Sequence, residues 1–140
     1  MSGLVAYIFG AAPVASQQAK PAAGACQPGP NALGVSRIVD INAAHGPRFG
    51  AQYHESNFLQ DGEVVLTFDD GPHPKYTVPI LDALDEHCTK ATFFMLGQRA
   101  MMYSDLAKEV AARGHTVGTH TWSHANLRQK SADGAIAEIE

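Results

Sequence analysis

Basic residues are scarce and scattered in this chain. Ten lysines and arginines stand against 14 aspartates and glutamates in 140 residues, a net charge of −4, and no cluster of them occurs anywhere. That absence removes the electrostatic footprint a nucleic acid or an anionic membrane surface would require. No apolar run reaches the roughly 18 to 20 residues that a membrane-spanning helix needs. Cysteine is nearly absent: Cys26 and Cys88 allow one disulfide, and only in an oxidising compartment. Their positions alone do not show whether they meet. Apolar residues, in contrast, make up 45% of the chain, enough to bury the core of one domain.

The N-terminus forms its own compositional zone. Residues 1–25 read as a signal peptide with its processing region. Leu4 to Ala15, "LVAYIFGAAPVA", has the length of a secretory apolar segment, and small and polar residues follow it. Neither Lys nor Arg precedes the run, a departure from the usual secretory pattern. The expectation is an exported chain, periplasmic or extracellular. Residues 26–61 read as a linker and N-terminal extension, rich in Ala, Gly, Pro and Gln at the start. Residues 62–140 read as the folded domain.

Alternating element signals run through the second half. Val35 to Ile41 is a first strand candidate, and Val64 to Phe68, "VVLTF", reads as a strand buried on both faces. A helix follows, with Thr77 as its cap, Pro79 in its first turn, and Ile80, Leu81, Leu84 and Cys88 at helical spacing. Ala91 to Leu96 is a second buried strand closed by Gly97. Ser104 caps a further helix with the stripe Leu106, Ala107, Val110 and Ala111, ended by Gly114. His115 to Thr119 is a third strand. Ser131 caps a last helix with Ile136 and Ile139 as its apolar stripe. Strands alternating with helices imply an α/β class with a parallel sheet. Three such strands seldom complete a sheet, so the domain is expected to be the front half of a larger one.

Two polar segments follow strands in this scheme. Asp69 and Asp70 stand at the end of "VVLTFDDGP", where α/β folds collect ligand and catalytic groups. Asp-Gly-Pro is also good turn material, so the pair by itself fits either chemistry or a turn. The second segment, "HTWSH", holds His120 and His124 four residues apart. If that stretch were helical, both imidazoles would share one face and converge on an ion. Two His and a carboxylate suit zinc, with non-haem iron a second fit by ligand type. Thr121 occupies the place where a zinc protease motif needs Glu, which excludes that class.

Taken together, "TFDDGP" at Thr67–Pro72 and "HTWSH" at His120–His124 closely resemble two motifs of the polysaccharide deacetylases with a NodB homology domain, carbohydrate esterase family 4. The resemblance runs from about Glu63 to the last residue and implies a distorted (β/α) barrel, of which this chain would hold the front half. It implies Asp70, His120 and His124 as ligands of a divalent metal, most simply zinc, and Asp69 as the general base acting on water. Thr121 would bond the loop and orient the histidines, Gly71 and Pro72 would shape the turn, and Trp122 would fill the core ahead of lining a sugar surface. The implied substrate is a carbohydrate polymer or oligomer bearing N-acetylglucosamine, such as peptidoglycan or chitooligosaccharide. An O-acetyl xylan esterase and a non-catalytic, vestigial carbohydrate-binding fragment are the alternatives. Three further motifs of that family, including the Leu-x-His segment with the general acid, are not found after Leu127.

Overall fold

The computed structural model describes residues 4–10, 26–41 and 59–139, and the processing sites expected between Ala15 and Ala25 lie outside them. Contacts divide the chain into two units, Met1–Leu66 with Leu84–Lys90, and Thr67–Ala83 with Ala91–Glu140.

The first unit is built on an antiparallel sheet. Strand β1 (Leu4–Gly10) lies between β2 (Arg37–Ile41) and β3 (Glu63–Val64), pairing Leu4 with Ile41 on one side and Phe9 with Val64 on the other. The first seven residues of the apolar run expected to be a leader, Leu4–Gly10, are therefore the middle strand of a sheet. Arg37 bridges β2 to β3 with a two-pronged ion pair, its Nε and Nη2 donating to the two Glu63 oxygens at 2.7 Å each. The Gln60 N–H adds a third donor at 2.8 Å. These bonds, the guanidinium's foremost, hold the Glu63 carboxyl below its ordinary range. Cys26 and Cys88 form a disulfide with Cα atoms 5.5 Å apart. Beside it, Gly34 at φ 65° takes a bend that favours glycine, and its carbonyl accepts the buried Thr89 hydroxyl at 2.9 Å.

The second unit is α/β. Strands β4 (Thr67–Gly71), β5 (Thr92–Met95) and β6 (Thr116–Thr119) form a parallel sheet in the order β4-β5-β6. Helices α1 (Thr77–Glu86), α2 (Gly97–Met102) and α3 (Ser104–Ala112) connect them. A 3₁₀ turn, Leu127–Gln129, and α4 (Ala132–Ile139) close the order. This is the arrangement of a partial (β/α) barrel. Its core is Leu81 from α1, Phe93 and Met95 from β5, and Val110 from α3, all buried, with Phe68 stacked on Phe93 at 5.1 Å. Arg113, just past α3, reaches Asp82 of α1 at 2.7 Å and Glu109 at 2.6 Å. No helix among the described residues is long and apolar enough to cross a membrane.

Several expectations change here. The run Val64–Phe68 is not one strand buried on both faces: it divides between β3 and β4, which belong to different sheets. Among the described residues β5, in the middle of this sheet, is buried or half-buried along its length, while β4 and β6 mix exposed and half-buried positions. Gly97 opens α2 instead of ending a strand. Ser104 begins α3 without a side-chain cap. Thr77 accepts the His73 N–H at 2.8 Å, closing the turn before α1 instead of capping forward. Ser131 does cap α4, its hydroxyl accepting the Gly134 N–H at 3.2 Å. The α4 stripe, however, is inverted: Ile136 and Ile139 are exposed and Glu138 is buried.

Candidate metal centre

The two aspartates diverge because the strand that carries them is irregular. In the β4–β5 ladder Asp69 pairs with Phe94 and Gly71 with Met95, so Asp70 is an extra residue. A bulge of this kind bends the strand and re-aims one side chain. Asp70 takes φ 64°, a left-handed conformation that Asp tolerates better than most residues. The chain then turns through a cis Gly71–Pro72 bond onto a buried Pro72. Both carboxylates line an open cleft of about 260 Å³ with His73, Tyr76 and Arg99 among its walls.

Opposite lies the loop after β6. It is not helical, so the i, i+4 argument does not explain how the histidines converge. Thr121 at φ 64° and His124 at φ 62° turn the chain twice within five residues. For a β-branched threonine this conformation is costly, on the order of 1–3 kcal/mol, and persists only where the surroundings hold it. Hydrogen bonds supply the hold. The His120 N–H donates to Met95 O at 2.9 Å, and the His124 N–H to Thr121 Oγ1 at 3.0 Å. Two N–H groups at the start of α2, from Gly97 and Gln98, donate to the Thr121 and Trp122 carbonyls at 3.0 and 3.1 Å. The helix thus finds acceptors for donors that have none within it, and the loop is pinned.

Asp70, His120 and His124 meet as a result. Asp70 Oδ1 lies 3.5 Å from His120 Nε2 and 3.4 Å from His124 Nε2, and one ligand atom from each residue falls within 4.8 Å of the others. Ligands about 2.0–2.1 Å from a tetrahedral ion stand about 3.3–3.4 Å apart, so the two carboxylate–imidazole separations suit zinc. Asp69 is one residue away on the same strand, exposed in the cleft.

Two residues around the loop differ from the sequence reading. Trp122 is not a core residue; it is 40% exposed, and its ring lies so close over Gly97 that a Cβ there would collide with it. Glu138 was not foreseen at all. Its carboxylate, 8% exposed, accepts the Ser123 N–H and hydroxyl at 2.8 Å each and Lys130 Nζ at 3.3 Å, while its carbonyl accepts the Trp122 N–H at 2.7 Å. The Ser123 bonds, ahead of Lys130, keep its carboxyl below the usual range despite burial. The only local signal was a glutamate among isoleucines on one short helix.

Comparison with known proteins follows the same residues. The family described as polysaccharide deacetylase matches residues 58–140. A peptidoglycan-N-acetylglucosamine deacetylase of Bacillus cereus is 49% identical over 81 residues, 58% of this chain and 30% of that protein. A chitooligosaccharide deacetylase of Rhizobium leguminosarum bv. trifolii is 45% identical over 80 residues, 57% of this chain and 37% of that one. The solved structure of peptidoglycan deacetylase PdaC from Bacillus subtilis matches with a TM-score of 0.53 at 43% identity, covering 54% of this chain and 37% of that one. A family 4 acetyl xylan esterase from Clostridium thermocellum, solved with a cobalt ion, matches with a TM-score of 0.51 at 37% identity, over 54% of this chain and 37% of its own. The chain therefore spans about a third of the length of these relatives, and through residues 58–140 it belongs to the polysaccharide deacetylase family.

Proposed function

We propose that this chain carries the metal centre and general base of a hydrolase that removes N-acetyl groups from N-acetylglucosamine-containing polysaccharides or oligosaccharides, such as peptidoglycan or chitooligosaccharide. The observation that supports it most directly is the meeting of Asp70, His120 and His124 beside a second carboxylate in an open cleft. A divalent cation held by those three, zinc by the donor set, would supply Lewis acidity toward an acyl oxygen and would acidify water. Asp70 would bring one carboxylate oxygen and the histidines two imidazole nitrogens, a donor set that leaves a bound dication with net positive charge beside Asp69. Asp69 accepts a proton from the water that attacks the acetamide carbon. The C–N bond then breaks as that proton passes to the departing nitrogen, giving acetate and the sugar's ammonium. Thr121, bonded to the His124 N–H, holds the second histidine toward Asp70. Tyr76 and His73, stacked at 4.7 Å, give the cleft an aromatic wall against which a sugar ring can lie.

Metal content and turnover separate the two aspartates. Calorimetric zinc titration should show binding that Asp70→Asn severely weakens and Asp69→Asn leaves nearly intact. In a longer version that also carries the family's further motifs, Asp69→Asn should lower kcat on a chitooligosaccharide by roughly 10²-fold or more, the scale of a lost general base. Loss of metal in Asp69→Asn, or near-native turnover in its loaded form, overturns this division. O-deacetylation of xylan is a second reading, favoured by the likeness to the Clostridium thermocellum esterase. Assay of acetylated xylan beside the chitooligosaccharide distinguishes them.

A further inference from the structure

We propose that Glu138 is a positioning residue of this centre: by clamping Trp122 and Ser123 it fixes where His124 stands relative to Asp70. The proposal rests on the metal reading of Asp70, His120 and His124. Thr121, Trp122 and Ser123 lie between His120 and His124, and the N–H groups of Trp122 and Ser123 donate to Glu138. The first goes to its carbonyl and the second to its carboxylate, so a single residue holds the loop through both backbone and side chain. The Ser123 hydroxyl, on the other carboxylate oxygen, prevents rotation about the first bond.

The remainder of α4 makes this assignment specific. A helix ordinarily docks by its apolar residues, but here Ile136 and Ile139 are 50% and 59% exposed while the glutamate is turned inward. Burying a carboxylate is unfavourable unless it is fully hydrogen-bonded, and here three donors meet it, one of them the Lys130 ammonium. The helix is therefore anchored to the loop by a polar clamp. That clamp opposes the relaxation of Thr121 and His124 out of their left-handed conformations, and groups that orient metal ligands in this way govern affinity. Without Glu138 the Trp122 N–H retains a backbone carbonyl in α4, but Ser123 loses both of its partners and His124, exposed at the loop end, is free to swing.

Cobalt(II) titration of the 140-residue chain, followed by visible absorption and paired with chelator competition for zinc, tests this. Wild type should bind one equivalent. Glu138→Ala should bind both metals roughly 10- to 100-fold more weakly and change the cobalt spectrum, since the ligand geometry moves. Glu138→Gln, which keeps one acceptor oxygen and loses the charge, should fall between. A folded Glu138→Ala with wild-type affinity and spectrum overturns the proposal, as does one whose melting temperature drops while its cobalt spectrum stays unchanged. If Glu138→Ala does not fold by circular dichroism, wild-type affinity and spectrum in Glu138→Gln overturn it equally. A wild-type chain that takes up neither metal overturns the triad itself, a failure seen before any substitution is made.

Discussion

Asp70, Thr121 and His124 share a left-handed backbone, φ 62–64°, although none is glycine. Three such residues around one centre concentrate strain where the ligand atoms must converge, a distribution that suits a binding site better than a turn. Gly97 shows the complementary case, where a missing side chain makes room. A Cβ at that position would strike the Trp122 ring, so Gly97→Ala should cost about 1–3 kcal/mol in urea denaturation. Removing the ring as well, in Gly97→Ala with Trp122→Ala, should cost less than the sum of the single changes; strict additivity would disprove the contact. At this scale the cluster of Asp70, His120 and His124 was legible, because the three sit in two short motifs that local reading finds. Glu138 was not, because its role depends on a contact 15 residues from Ser123 along the chain. The burial of Trp122 was misjudged for a similar reason: aromatic bulk favours the core, but here the ring covers a glycine at a helix start.

Among the elements, the identities of β5, β6, α1, α3 and α4 followed from apolar runs, while β1, α2 and the division of Val64–Phe68 into β3 and β4 did not. Val64 and Thr67 are only three residues apart yet belong to different sheets, and nothing in "VVLTF" marks the division. Periodicity placed α4 but gave it the wrong inner face, since two isoleucines outweigh one glutamate on any hydropathy pattern. The helical reading of His120–His124 failed because two left-handed residues achieve the convergence that the i, i+4 spacing suggested. The β2–β3 tie through Arg37 and Glu63 leads to a pH prediction. The Glu63 carboxyl is lowered chiefly by the Arg37 bond, so its folded value lies beneath the roughly 4.3 of an unfolded glutamate. The stability it contributes is complete above that value and is lost as pH falls through the depressed one. Amide exchange in Arg37–Ile41, corrected for intrinsic rates, should speed up on acidification from pH 7 to 3 in wild type. Glu63→Gln should show little of that change; an equal acid response in both would disprove the link.

For the whole molecule, the α/β class and the partial barrel were legible from the alternation of elements, and the antiparallel sheet around Leu4–Gly10 was not. That segment reads as a leader on hydropathy alone, and pairing with β2 and β3 depends on residues more than twenty positions away. We propose export for this chain, on the apolar run and on the Cys26–Cys88 disulfide, which persists in oxidising compartments. Protein recovered outside the cytoplasm should have both thiols blocked to alkylation without reductant; cytoplasmic protein with two freely alkylating thiols would end that proposal. The cross-link joins positions 62 residues apart, so the chain-entropy account gives it about 4 kcal/mol, and reduction should lower the melting temperature accordingly. The bonds from Gly97 and Gln98 to the Thr121 and Trp122 carbonyls carry a consequence for motion. Because the first donors of α2 are satisfied by the histidine loop, that helix start cannot fray without releasing the loop, nor the loop open without exposing the helix. The two therefore behave as one cooperative unit, and under the metal proposal an ion that tightened the histidines would also slow the opening of a helix it never touches.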